Sequence, residues 1–188
     1  PEGPLHKDEW RPVGGEFHRG ASIIASAEAP GSDEVQHGRP LVGRAGSEWG
    51  NALTLANRSR VDVDLDHVIS CRPPGQESGA WRRMEKSLDR LNKKRVKQGL
   101  DPHPHPATCC RPRLLDVVSR YQKVITLGKT ATSALTGQST SIQAMRGGPM
   151  QIDDNWDWVP TNGSRKLLPM LHPSFILRSP SWRHVLHA

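Results

Sequence analysis

Apolar residues come in short runs along this chain, separated by polar segments rich in Gly and Pro. Ala21-Ser22-Ile23-Ile24-Ala25-Ser26-Ala27 is small and apolar and stops at Ala29-Pro30-Gly31, which reads as a buried strand entering a loop. The same pattern predicts strands over 65–71, 121–127 and 167–171, ended by Arg72-Pro73-Pro74-Gly75, Gly128 and His172-Pro173-Ser174. Trp49, Leu53 and Ala56 recur at helical spacing, which predicts a helix over 45–57. Further helices are expected over 114–120, from 128 to about 135, and after 174. Strands alternating with helices define an α/β chain, here a three-layer α/β/α fold with a central, mainly parallel four-stranded sheet. Ligands of such sheets sit beyond the carboxyl ends of the strands. Three polar segments follow strands there, at 28–46, 71–75 and 172–178, and their convergence locates a candidate site.

Length and charge narrow the possibilities. The 188 residues, 35% of them hydrophobic, suit one domain over 1–188. Net charge is +7 with a pI near 9.8, which makes a polyanion the natural partner. No run of about 18 apolar residues is present, so no membrane span is expected, and no secretory pattern stands out. Three cysteines, two of them adjacent, make no disulfide framework; a reducing cytoplasm, of a bacterial or phage-infected cell, is the expected compartment.

The segment 81–98 is strongly basic and helix-like, with Met84, Leu88 and Leu91 forming a thin apolar stripe. It reads equally as a solvated surface helix or as a phosphate-contacting arm. It lies in an insertion at about 76–108, and Pro102-His103-Pro104-His105-Pro106 behind it is expected to be an extended loop.

Two segments carry the chemistry. Glu28 and Glu34 lie near a strand end among glycines that let backbone approach a ligand, which suits a charge-stabilising site. His172-Pro173-Ser174-Phe175-Ile176-Leu177-Arg178 combines an imidazole, a turn, an apolar wedge and a cation, as in side chains that unstack DNA. Taken with Gly38-Arg39-Pro40-Leu41-Val42-Gly43-Arg44-Ala45-Gly46, Cys71-Arg72-Pro73-Pro74-Gly75 and Thr126-Leu127-Gly128, these segments resemble, in the same order, the motifs of family 4 uracil-DNA glycosylases.

That resemblance implies a monofunctional DNA glycosylase, which flips out a base and hydrolyses its N-glycosidic bond. It implies that Glu28 positions water and stabilises the sugar cation, and that His172 steadies the leaving base. Ala29, Pro30, Gly31, Glu34, Leu41 and His67 fall on the base pocket. Arg39, Arg44, Arg72, Ser174, Leu177 and Arg178 fall on DNA-contacting positions. No lysine or terminal amine stands out as a Schiff-base nucleophile, so strand cleavage is not expected. Monomeric binding to DNA is expected.

The chain departs from the family at three points. Leu41 stands where the family has a base-stacking aromatic residue, and His67 where it has an asparagine. An imidazole does not copy the side-by-side donor and acceptor of a carboxamide, so a changed base is expected. The superfamily includes a phage-defence glycosylase acting on glucosylated hydroxymethylcytosine, and this chain resembles such a variant; ordinary uracil repair is the alternative. A DNA-binding protein without catalysis is the rival of another class, and Glu28 with His172 speaks against it. The family's four-iron cluster needs four cysteines. Gly3 stands where one is expected, and only Cys71 and Cys110 match another pair, so no cluster is expected. Zinc held by these thiols with His103 or His105 has no standard spacing, and buried thiols are the expectation. A covalent adduct through a histidine after the Ala45-Gly46 segment is not expected, since Ser47-Glu48-Trp49-Gly50 has none.

Overall fold

The computed structural model describes residues 12–72, 80–137, 141–148, 150–151 and 166–186. Four strands are parallel: β1 (Ile23–Ala27), β2 (Val63–His67), β3 (Lys123–Leu127) and β5 (Lys166–Met170); the two-residue β4 (Met150–Gln151) adds antiparallel to β5. The order β2-β1-β3-β5-β4 puts the apolar β1 and β3 in the interior of the sheet. The two faces alternate along each strand. Ile24, Val124 and Leu167 face one core with Leu114, Val118 and Leu135. Ala25, Ala27 and Leu127 face the other with Trp49 and Leu53. Strands covered on both sides read as nearly continuous apolar runs, which is why β1, β3 and β5 were visible in the sequence.

The helices form the outer layers: α1 (Ser32–His37), α2 (Gly43–Leu55), α3 (Ala80–Lys97), α4 (Pro106–Val118), α5 (Lys129–Thr136), α6 (Ile142–Met145), α7 (Pro173–Arg178) and α8 (Arg183–Leu186). Three assignments differ from the sequence reading. The second strand begins at Val63 and ends at His67, not at 65–71. Its acidic residues look like loop residues in sequence, but both are buried with partners. Asp64 accepts from Tyr121 Oη and from the His18 amide at 2.7 Å, and Asp66 pairs with Arg113 at 2.5 Å. Val68 and Ile69 leave the strand yet stay buried, and their amides donate to Ala27 and Glu28 carbonyls at 2.8 and 3.1 Å. The helix expected over 114–120 starts eight residues earlier, at Pro106. His105 caps it by accepting from the Ala107 amide at 3.2 Å, and proline at the first helical position loses no hydrogen bond. Finally, α1 lies inside the segment read as a loop, closed by Gly38 in the left-handed region.

Strands β1, β2, β3 and β5 run in register, so Ala27 lies beside His67 and Leu127 beside Met170. Their carboxyl ends therefore share one edge, from which residues 28–31, 68–72, 128 and 171–178 emerge. Among the described residues no helix is long and apolar enough to cross a membrane.

Candidate active site

At that edge lies an open cavity of about 410 Å³, and the residues around it include Glu28, Ala29, Gly31, Glu34, Arg44, His172, Ser174, Leu177 and Arg178. These nine expected site residues come from two of the three polar segments, 28–46 and 172–178, and meet here; Cys71 and Arg72 of the third do not border the cavity. Glu28 follows the last residue of β1 directly. Its carboxylate accepts a hydrogen bond from the Thr130 hydroxyl, in the first turn of α5. Burial pushes the Glu28 carboxyl up from the usual range, Thr130 opposes this, Glu85 adds to it and Arg178 counters it.

His172 caps α7. Its Nδ1 accepts from the Ser174 amide at 3.1 Å and lies 2.8 Å from the Ser174 hydroxyl. With Nδ1 used as an acceptor, the proton of the neutral ring sits on Nε2. Burial holds the imidazole down at about 4; Glu34 opposes that, while His67 and Arg178 reinforce it. At neutral pH His172 is thus an uncharged donor. Gly128 makes room for it: its φ is +91°, and an added Cβ would stand 3.2 Å from the His172 Cβ.

Glu34 is buried at the cavity wall. Its carboxylate accepts from the amides of Gly31 and Leu41, and the His67 Nε2 lies 3.6 Å from its Oε1. Burial opposes its charge, but His67 and the two amides outweigh burial and hold the carboxyl below its usual range.

The remaining expected residues lie elsewhere. Leu41 does not face the cavity: its side chain packs in the core with Trp49 and Leu65. Its φ of +46° turns it inward. Gly46 allows this, since a Cβ there would meet the Leu41 carbonyl oxygen at 2.0 Å. His67 is 1% exposed and stands behind Glu34. Pro30 is buried beside the wall. Arg39 is exposed and forks onto Glu16 at 3.1 and 3.0 Å, outside the cavity. Arg72 is half-buried and does not border the cavity, and Pro73-Pro74-Gly75 and Gly3 lie outside the described residues.

The sequence reading missed Thr130. A hydroxyl two residues beyond Gly128, in the first turn after a strand, was the available signal. It also missed Asp33, Val42 and Leu127 on the wall. The wedge is well anchored: Ile176 is fully buried against Ala52 and Leu171, while Leu177 and Arg178 face the cavity.

The four-thiolate cluster implied by the resemblance does not fit these residues. The chain holds three cysteines, all free. Burial pushes the Cys71 and Cys109 thiols up, against the thiolate form that metals need. Cys71 and Cys110 pack against the apolar core. Among the described residues no three His, Cys, Asp or Glu side chains are grouped to hold a metal ion.

Comparison with known proteins agrees with this geometry. The sequence model of the Uracil DNA glycosylase superfamily matches residues 15–186. The Type-4 uracil-DNA glycosylase of Thermotoga maritima is 30% identical over 181 residues, 95% of this chain and 78% of that protein. That of Archaeoglobus fulgidus is 27% identical, covering 95% of this chain and 78% of its own. That of Pyrobaculum aerophilum is 36% identical over 88 residues, 47% of this chain and 45% of its own. The match over nearly the whole chain defines a glycosylase class, and the chain belongs to the uracil DNA glycosylase superfamily, in its family-4-like branch. It is accordingly a hydrolase of N-glycosyl bonds that acts on DNA.

Proposed function

We propose that this protein removes uracil from DNA by simple hydrolysis and leaves an abasic site. The observation that carries the reading is the pairing, across one cavity, of a carboxylate and a neutral imidazole donor. With the nucleotide turned out of the stack, the bond between C1′ and the base breaks and its electrons go to the base. Charge builds on the base oxygen, where the His172 Nε2–H donates to it. The sugar becomes cationic beside the Glu28 carboxylate, which also aligns a water and takes its proton as the oxygen bonds to C1′. Donors and charges fixed at such positions contribute about 10²–10³ each. Leu177 fills the space left in the duplex, and Arg178 meets the flanking phosphate. The relatives named Type-4 uracil-DNA glycosylase support uracil as the base.

A second reading has its own support. Among the described residues no Phe, Tyr or Trp lines the cavity, and Leu41 is withdrawn into the core. An unstacked, open pocket favours a bulkier pyrimidine, such as glucosylated hydroxymethylcytosine in phage DNA. Duplexes carrying one uracil, one hydroxymethylcytosine or one glucosylated hydroxymethylcytosine, treated with protein and then alkali, separate the two. Breaks at uracil are expected. Breaks at the glucosylated base alone establish the second reading, and no breaks on any substrate overturn both.

A further inference from the structure

The positive charge of this chain is concentrated in one helix. α3 has eight basic and two acidic side chains, which accounts for six of the seven net positive charges. The rest of the chain is left at +1. The cavity does not compensate, because Glu28, Asp33 and Glu34 outnumber Arg44 and Arg178 around it. A protein that binds a polyanion while its reactive cavity is net acidic draws its attraction from elsewhere on its surface.

The cations of α3 are ordered. At about 100° per residue, Arg83, Lys86, Arg90, Lys93, Lys94 and Lys97 fall within an arc of about 100°, and all six are exposed. The opposite side carries Met84 and Leu88, both buried, with Met84 in the core cluster. The stripe therefore points away from the body and spans about 21 Å along the helix axis. Its acidic residues lie off the stripe. Glu85 stands 3.4 Å from His105, and its charge adds to the repulsion at Glu28.

We propose that this outward stripe of α3 is the surface that holds DNA phosphates, and that it, rather than the cavity rim, supplies most of the protein's electrostatic attraction to DNA. The inference rests on the DNA-directed function proposed above, but it concerns binding and not cleavage. A length of about 21 Å spans roughly six base pairs of a duplex, at 3.4 Å per phosphate of one strand. Cations repeating at every helical turn suit such a line of charges.

The test is the salt dependence of binding to a fluorescent duplex that contains only ordinary bases. Its result therefore stands whether or not any base is excised. One variant carries Gln at Lys86, Arg90, Lys93, Lys94 and Lys97, a residue that retains helix propensity. A control carries Gln at Arg19, Arg58, Arg120, Lys123 and Lys166, which removes the same charge outside α3. If all five stripe residues meet phosphates, the slope of log affinity against log salt falls by about 4.5 for a duplex and about 3.5 for a single strand. That equals a loss of on the order of a few hundredfold at 50 mM relative to 200 mM salt. The control is expected to leave the slope within one unit of the parent. Equal slopes for both variants overturn the proposal. So does a stripe variant that loses affinity for phosphatidylserine vesicles while its DNA slope is unchanged. If the fivefold variant does not fold, Lys86→Gln with Lys93→Gln is read instead; a slope change of about 1.8 is expected, and no change overturns the proposal.

Discussion

The Nε2 of His67 lies 3.6 Å from Oε1 of Glu34, and the imidazole touches the cavity only through that carboxylate. Neither ring nitrogen of His67 has a hydrogen-bond partner among the described residues, and the ring is buried. His67 thus acts by favouring the charge of Glu34. A carboxyl held below its unfolded value contributes stability that is complete above about pH 4.5 and is lost as pH falls through the lowered value. In His67→Ala the share of this contribution that His67 supplies disappears, the Gly31 and Leu41 amides keep theirs, and a void is left. The variant is expected to lose about 2–4 kcal/mol at pH 7. The gap from the parent should narrow below pH 4.5, as urea midpoints across pH 3–7 will show. A constant gap would assign the loss to packing alone.

Activity should rise with pH on its acid limb as Glu28 ionises. Burial puts that limb above the ordinary carboxylate range, and His172, neutral down to about 4, does not interfere. The Thr130 hydroxyl stabilises the Glu28 anion, so Thr130→Val is expected to move the limb to higher pH while activity recovers in alkaline buffer. Glu28→Gln should lose about 10²–10⁴ on the plateau above the limb and should show no acid limb of its own. Single-turnover rates of abasic-site formation between pH 4.5 and 9 distinguish the two. A Thr130→Val profile scaled down without a shift would mean that the hydroxyl does not tune Glu28.

Much of this site was legible because its motifs are local. Glu28 follows an apolar strand, and His172-Pro173 opens a helix, so both positions could be read from adjacent residues, while their roles came from the family resemblance. The three-layer fold was legible for the same reason, since the strands buried on both faces are nearly unbroken apolar runs. What was hidden depends on distant partners. Asp64 and Asp66 disguised β2, because the residues that satisfy them, His18, Tyr121 and Arg113, lie 46 to 57 positions away. Leu41 looked like a pocket residue until its left-handed backbone placed the side chain beside Trp49. Charge alone left the segment 81–98 open between surface helix and arm; the burial of Met84 and Leu88 fixes which side faces outward.

Protein stability should itself report the neutral state of His172. The unfolded imidazole takes a proton below about pH 6.5, whereas the folded one resists until about 4. Protons then favour the unfolded chain, and stability declines as pH falls across that window. One pH unit of separation is worth about 1.4 kcal/mol, so the decline attributable to His172 is at most about 3 kcal/mol. His172→Gln keeps a polar group but cannot titrate. It is expected to flatten the pH 6.5–4 part of the denaturation curve relative to the parent. An unaltered slope would mean that the ring is protonated as readily in the fold as in water.

The loop beneath Glu34 depends on a remote ion pair. Arg60 donates from Nε and Nη2 to the Glu16 carboxylate, both at 2.8 Å, and donates also to the carbonyls of Leu41 (2.8 Å) and Pro40. Leu41 in turn offers its amide to Glu34. Arg60 therefore fixes the strained turn that aims Glu34 at the cavity. The hydrogen bond from Arg60 leads in holding Glu16 at about 2, with Arg39 assisting against burial. This stabilisation is present above about pH 4.5 and is lost as pH falls towards 2. Arg60→Ala leaves the Glu16 carboxylate to Arg39 and deprives two carbonyls of this donor, and it should cost about 2–3 kcal/mol. In a double-mutant cycle with Glu16→Gln, the coupling is expected to be about 1.5–3 kcal/mol at pH 7 and to vanish near pH 2. Arg60→Lys keeps the charge but not the fork, and is expected to recover less than half of the loss. A coupling below about 0.5 kcal/mol at pH 7 would show that the turn holds its shape without Arg60.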